Sequence, residues 1–155
     1  DYRNLVDFDS EIFRIVNRSS VLTQGVEFIV RTALGERANF RAHVTFTDSE
    51  ILDSDAFLRE RPKWRGGAVI DWEFSETLRL VTSALVLGEA YASSIATGGG
   101  FLDGHTRIDL ALSWQPQDRL TVQIGIDNLL DASYQEAVGF PANGVTARVG
   151  IKYHF

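Results

Sequence analysis

The sequence predicts an all-β fold, an antiparallel up-and-down transmembrane β-barrel represented here by about eight strands. Three observations lead to this prediction. Apolar and polar residues alternate in segment after segment, these segments are long, and their connections alternate between short and long. A strand that crosses a membrane needs only about 9–11 residues and one apolar face, so all three observations fit the wall of a barrel.

The composition narrows the alternatives. The 155 residues are 45% hydrophobic and 23% charged, with a net charge of −6 and no cysteine. No segment approaches the ~18 apolar residues of a membrane helix. The scattered basic residues argue against a nucleic-acid partner, and the lack of cysteine excludes disulfides and thiolate sites. Because the chain starts at Asp1 and has no methionine, we expect a mature chain or a fragment.

The first half of the chain contains four predicted strands. They lie at residues 2–8, 16–34, 38–48 and 64–74. In the last three of these strands the even positions are mainly apolar, as shown by Val26, Phe28, Phe40, Val44, Phe46, Ile70 and Trp72. Arg41, His43 and Asp71 stand at odd positions, as period-2 alternation requires.

The second half contains four more predicted strands. They lie at residues 77–89, 106–115, 119–128 and 145–155. Their apolar faces are represented by Ile108, Leu110, Leu112, Val122, Ile124, Val149 and Ile151. The strand at 77–89 is less regular, because Leu85 and Leu87 break its parity.

The connections and the aromatic residues distinguish the two ends of the predicted barrel. Short connections are expected near 35–37, 75–76 and 116–118, long ones near 49–63, 90–105 and 129–144, and an intermediate one near 9–15. Outer-membrane barrels have short periplasmic turns, long extracellular loops and aromatic girdles near the strand ends. Candidate girdle residues are Trp64, Trp72, Phe74, Trp114, Tyr153 and Phe155.

The last eight residues resemble the C-terminal assembly signal of outer-membrane barrels. That signal has a polar residue, a glycine two positions later and alternating hydrophobic residues that end in an aromatic, and Arg148, Gly150, Tyr153 and Phe155 match it. An alternating strand with an unpaired edge can be bound by strand addition. The resemblance implies recognition by the barrel-assembly machinery.

Several motifs resemble those of TonB-dependent receptors. The segment Ile126-Asp127-Asn128-Leu129-Leu130-Asp131 is followed by Tyr134-Gln135-Glu136 and Gly139-Phe140-Pro141, in the order of the family signature. Further matches in order are Tyr2–Asp7, Gln24–Phe28, Arg61–Trp64 and Thr106–Leu110. The chain departs from the family at Leu130 and Phe140, where Phe and Tyr are common, and at Asn143-Gly144-Val145, where Pro-Gly-Arg is common.

The resemblance implies a place in a larger protein. Receptors of this family have 22 strands around a plugged lumen, so residues 1–155 would form the C-terminal portion of the barrel, without its plug domain. Import of a scarce nutrient (siderophore-bound iron, haem, cobalamin or similar) across the bacterial outer membrane would follow. The expected partners are outer-membrane lipid, the rest of the barrel, the plug and, through the missing N-terminal part, the TonB complex. The C-terminus would be periplasmic.

No residues suggest an enzyme, a metal site or a bound cofactor. His43, His105 and His154 are too far apart in sequence to form a local catalytic or metal-binding motif. If this part of the chain contacts substrate, aromatic and polar residues of the predicted extracellular loops are the candidates. These are Tyr91, Phe101, His105, Tyr134 and Phe140.

Two other architectures remain open from the sequence. Eight strands suffice to close a narrow barrel, which would be a complete structural or adhesive protein. A soluble β-sandwich would instead bury the apolar faces between two sheets. A third question is whether an eight-stranded piece of a larger barrel closes on itself or stays an open sheet with residues 2–8 as one edge.

Overall fold

A computed structural model describes residues 2–9, 12, 14–52, 54–94 and 96–155. The intermediate connection expected near 9–15 falls mostly on Ser10, Glu11 and Phe13, which lie outside the described residues. Within the described ranges, no helix is long and apolar enough to cross a membrane.

Twelve strands are described. They are β1 (Tyr2–Asp9), β2 (Arg14–Ala33), β3 (Ala38–Ile51), β4 (Trp64–Ser75), β5 (Leu78–Leu87), β6 (Ala90–Ser94), β7 (Gly98–Leu102), β8 (His105–Gln117), β9 (Leu120–Asp127), β10 (Gln135–Ala137), β11 (Phe140–Pro141) and β12 (Thr146–Tyr153). The eight predicted strands are all present. The four additional short strands lie in two of the connections that were predicted as long loops.

The eight long strands form one antiparallel sheet in the order β1-β2-β3-β4-β5-β8-β9-β12. The hairpins β6–β7 and β10–β11 form two separate small sheets. No pairing joins β1 to β12 among the described residues, so the sheet is open and both strands are edges. A single sheet of this kind is neither the closed narrow barrel nor the two-layered sandwich.

One face of the sheet is apolar across its width. The pairing register aligns Trp72, Leu80, Leu112, Ile124 and Val149 in one row across five strands. These side chains have no second layer over them, and Val149 and Ile151 are 70% and 73% exposed. Such a continuous apolar surface is unfavourable in water and suits contact with lipid.

The two ends of the sheet differ. The "turn end" carries the short connections 34–37, 76–77 and 118–119, and the "loop end" carries the long connections 52–63, 88–104 and 128–145. Trp72 and Phe74 stack at the turn end with ring centroids 4.2 Å apart, and Phe46 packs on Trp64 toward the loop end at 4.8 Å. Eight residues of strand separate Trp64 from Trp72, about 26 Å, which matches the apolar band of a membrane barrel.

The opposite face is polar and carries paired charges. Arg79 Nε donates to Asp71 Oδ1 at 2.7 Å between β5 and β4, and Arg148 Nη2 contacts Asp127 Oδ1 at 2.8 Å between β12 and β9. Both pairs are largely solvated, so each contributes little to stability. We call this face the inner face.

Two local features differ from the expectation. Pro116 was predicted in a short turn but lies within β8, at an irregularity of the β8–β9 ladder after Trp114. Such irregularities accommodate a residue that lacks a backbone N–H. The segment Gly98–Gly100, within the long connection expected near 90–105, is the first part of β7.

Candidate functional site

The three long connections meet at the loop end. The backbone N–H of Glu60 in connection 52–63 donates to the carbonyl of Tyr91 in hairpin β6–β7 at 2.7 Å. At the tip of that hairpin, Thr97 Oγ1 donates to the carbonyl of Val138 in connection 128–145 at 2.8 Å. The hairpin therefore lies between the other two connections and is hydrogen-bonded to both.

An aromatic cluster joins connection 52–63 to the hairpin. Tyr91 and Phe101 are cross-strand partners, and their rings meet edge to face at 5.5 Å. Phe57 packs on both, with centroids 5.6 Å from Tyr91 and 5.0 Å from Phe101. Phe57 and Phe101 are more than half exposed. The cluster thus presents aromatic surface at the loop end.

A second aromatic pair lies at the beginning of β8. The rings of His105 and Tyr134 stack with centroids 3.8 Å apart and an interplanar angle of 8°. The side chain of Arg107, two residues further along β8, lies beside Tyr134. Thus Tyr134, from connection 128–145, lies on the inner face of β8, stacked on one residue of the strand and next to the charge of another.

A cleft of about 280 Å³ opens beside this pair on the inner face. Leu85 and Leu87 form part of its floor, which explains why they break the parity of β5: they point inward. Its lining combines both signs of charge, with Arg65 and Arg107 together with Glu60, Asp103 and Glu136, and it includes the polar ring of His105. An apolar floor with a few converging polar groups is the usual form of a small-molecule site.

The base of connection 128–145 is held together by Asn128, which is only 2% exposed. Its side-chain Nδ2 donates to the carbonyls of Ala132 (3.0 Å) and Asn143 (3.2 Å), and its Oδ1 accepts the Ala132 N–H at 2.9 Å. Its φ of 52° is one that asparagine tolerates better than most residues. Asn128 therefore ties both ends of the connection together.

Asp131 completes this base. Its Oδ1 accepts the backbone N–H of Val145 at 2.9 Å, directly before β12. A Cβ at Gly144 would come within 2.6 Å of the same oxygen. The Asn-Leu-Leu-Asp segment is thus a structural clasp, and a side chain at Gly144 would have to displace the Asp131 carboxylate from its bond to Val145.

Four of the five predicted loop residues belong to the aromatic cluster or to the stacked pair, and Phe140 belongs to neither. Tyr91 and Phe101 belong to the aromatic cluster, and His105 and Tyr134 form the stacked pair. Phe140 lies in β11 opposite Ala137 and is 56% exposed, outside both groups. His105 is the first residue of β8 rather than part of a loop.

Sequence reasoning missed two residues of the site. Arg107 lies on the same face of β8 as His105 because the two are two residues apart, so the alternation could have identified it. No sequence pattern identifies Phe57, since it lies in a connection without regular secondary structure.

The C-terminal signal residues lie on the edge strand β12 or directly after it. Arg148 reaches across Gly125, where its Nη2 lies 3.4 Å from the position of a Cβ, and Gly150 is opposite Gln123. Tyr153 and Phe155 meet edge to face at 5.3 Å. Their role in assembly stays a prediction.

Metal-ligating side chains do not cluster in the part of the chain that the structure describes: no group of three or more histidines and carboxylates is close enough to share an ion.

The sequence matches a family model described as "TonB dependent receptor-like, beta-barrel" over residues 1–129. The motifs from Tyr134 to Phe155 lie beyond this match. No curated protein gives a significant match.

Solved structures of receptors share the fold. The ferric-catecholate import receptor Fiu of E. coli K12 in its closed form superposes with a TM-score of 0.75 at 17% identity, over 99% of this chain and 24% of that one. The ferripyoverdine receptor of Pseudomonas aeruginosa gives 0.73 at 13% identity, over 97% and 23%. The siderophore receptor PiuA of Acinetobacter baumannii gives 0.71 at 16% identity, over 86% and 22%. The chain spans about a quarter of the length of these receptors.

Proposed function

This chain belongs to the family of TonB-dependent receptor-like β-barrels, and we propose that it forms the last eight strands of an outer-membrane receptor that imports an iron–siderophore complex. The observation that carries the proposal is the inner-face cleft, where His105, Tyr134 and Arg107 stand beside an apolar floor. The flat aromatic groups of a ferric siderophore can stack on the rings of His105 and Tyr134, and the guanidinium of Arg107 can pair with its anionic oxygens.

The receptors with the same fold support the choice of substrate. Their descriptions name a ferric catecholate, ferripyoverdine and a siderophore. Siderophore-bound iron is therefore preferred over haem and cobalamin, which the family resemblance alone left equal. The proposed activity is transport rather than catalysis.

The open sheet supports placement in a larger barrel. Both β1 and β12 leave a row of unpaired backbone groups, which lipid does not tolerate. We place the remaining strands of the receptor against these two edges and a plug domain against the inner face. A self-contained eight-stranded barrel would require β1 to pair with β12.

The orientation follows from the two ends. The loop end, with the cleft, would be extracellular, and the turn end would be periplasmic, as would the C-terminus. The outer-face aromatics would contact outer-membrane lipid.

Two protein partners follow from the same proposal. Energy would arrive from the TonB complex through the N-terminal part of the receptor. The assembly machinery would bind β12, with Arg148, Gly150, Tyr153 and Phe155.

The experiment that tests this function is uptake of radioactive iron. The whole receptor would be expressed in a Gram-negative strain that lacks its own siderophore receptors, and iron would be offered as catecholate, hydroxamate and haem complexes. We expect TonB-dependent uptake of one siderophore class. Haem uptake alone, or no uptake of any iron complex, would reject the proposal.

A double variant and a control variant test whether the cleft is the binding site. Replacing both His105 and Tyr134 by alanine should lower the uptake rate at subsaturating substrate. The control is Phe74→Ala, which removes one ring of the stacked Trp72–Phe74 pair at the turn end. An equal loss in both variants would mean that aromatic packing in general, rather than the cleft, is responsible.

A further inference from the structure

A continuous set of polar contacts connects the buried Asn128 to the stacked rings. The backbone N–H of Asn128 donates to Asp109 Oδ1 at 2.9 Å, and Asp109 Oδ2 accepts from Arg107 Nε at 3.1 Å. The Arg107 side chain also lies beside Tyr134, whose ring stacks on His105. The base of connection 128–145 is thus hydrogen-bonded to Asp109, and its ring-bearing residue lies against His105 and Arg107.

We propose that Arg107 and Asp109 are positioning residues that hold Tyr134 against His105 and so keep the cleft in its binding geometry. The inference deepens the proposed function, since it rests on the cleft as the binding site. It adds that the geometry of the cleft depends on the sheet, through Arg107 and Asp109, which follow His105 on the inner face of β8.

Strand β8 holds these side chains on a backbone that is fixed by the sheet. His105, Arg107 and Asp109 are alternate residues of β8, so their side chains emerge on one face about 6.6 Å apart. Strand β8 is paired on both sides, to β5 and to β9. Connection 128–145 has strand pairing only within its own short hairpin β10–β11. Its bonds to other elements include those from the Leu129 N–H to the carbonyl of Ile108 in β8 and from Thr97 Oγ1 to the carbonyl of Val138. The contacts with β8 therefore contribute to the position of Tyr134.

A ring contact alone would hold Tyr134 weakly. An aromatic pair contributes only modestly, while ordering a loop residue opposes it through lost conformational freedom. The side chains of Arg107 and Asp109 are 36% and 22% exposed, and charge-assisted hydrogen bonds in such partly shielded surroundings are stronger than fully solvated ones. The polar contacts decide where the ring lies.

The chain contains a matched control. Asp71 and Arg79 form a carboxylate–guanidinium pair on the same inner face, and that pair joins β4 to β5. Removing its carboxylate changes the charge of the inner face as the change at Asp109 does. It does so without touching the contacts of Tyr134.

The test measures the position of the connection directly. The 155 residues contain no cysteine, so, once any cysteine elsewhere in the receptor is replaced by serine, spin labels can be placed on Asp118→Cys at the β8–β9 turn and Ala137→Cys in β10. Distances between the labels are measured in the whole receptor by double electron–electron resonance. Tyr134→Phe, which removes only the hydroxyl, and Asp109→Asn should each broaden the distance distribution about twofold. Asp71→Asn should leave it unchanged. Unchanged widths in Tyr134→Phe and Asp109→Asn would overturn the inference.

A binding measurement completes the test, with ferric tris(2,3-dihydroxybenzoate) as the probe. We expect Tyr134→Phe and Asp109→Asn to bind it about tenfold more weakly, the effect of losing one polar contact with a charged group. Broadened distances with unaltered affinity would overturn the link between positioning and binding. If the unaltered receptor binds no ferric siderophore, the proposed function fails, whereas the distance measurement still decides whether Arg107 and Asp109 position Tyr134.

Discussion

Asn128 and Ala132 exchange two hydrogen bonds: the Asn128 amide donates to the Ala132 carbonyl at 3.0 Å and accepts the Ala132 N–H at 2.9 Å. This reciprocal pair closes a turn directly after β9. The same amide donates to the carbonyl of Asn143, near the end of the connection. One buried side chain therefore fixes a connection that returns to the sheet at β12.

Replacing Asn128 by alanine should destabilise the protein by about 2–4 kcal/mol, because it leaves buried backbone groups unpaired and places a less suitable residue at a positive φ. The neighbouring Leu129→Ala, at a residue that is 43% exposed, should cost under about 1 kcal/mol. Urea unfolding in detergent measures both variants. Equal effects would show that the amide contributes nothing specific.

Gly139→Ala should separate hairpin β6–β7 from connection 128–145. Gly139 has a φ of 82°, and a Cβ there would lie 2.6 Å from Thr97 Cγ2, while the Thr97 hydroxyl is held by its bond to Val138. Strain of this kind costs about 1–3 kcal/mol. We expect faster proteolysis of the loops in Gly139→Ala. Gly100→Ala is the control, since nothing lies within 4 Å of its Cβ position; faster cleavage there too would contradict the explanation.

Adjacent residues of β9 should differ in how well they tolerate a charged side chain. Ile124→Arg places a guanidinium on the apolar face, which costs about 2–4 kcal/mol near the middle of a membrane. Gln123→Arg places the same group on the polar inner face and should be tolerated. Folding yield in lipid vesicles and urea titration compare the two. A larger loss for Gln123→Arg would mean that the faces have been assigned the wrong way round.

Two phenylalanines of similar exposure should differ in their contribution to stability. Phe57 is 58% exposed and packs on Tyr91 and Phe101, whereas Phe140 is 56% exposed in β11. Because aromatic contacts contribute about 0.5–1.5 kcal/mol beyond area burial, Phe57→Ala should lower the free energy of unfolding by that much more than Phe140→Ala. Thermal unfolding of both variants measures the difference, and equal stabilities would show that the aromatic cluster does not stabilise the protein.

The sequence determined the fold class, the eight long strands and the family. These follow from local patterns: period-2 alternation assigns each residue to a face whatever the partner strand is, and the order of the motifs identifies the family. The family match over residues 1–129 and the single eight-stranded sheet confirm these predictions. Asn128 was noticed as part of a motif, but its clasp was not, because the carbonyl of Asn143 becomes its neighbour only after the connection has folded back.

Only the tertiary structure decided how the loop end is assembled. Tyr134 meets His105 across 29 positions of sequence, and Phe57 meets Phe101 from a connection without regular pattern. Leu85 and Leu87 broke the alternation in the sequence, and the reason is spatial: the cleft gives an apolar residue a place on the inner face. Strand alternation is set by backbone geometry, which each segment carries by itself, whereas contacts between loops depend on which strand ends the sheet brings together.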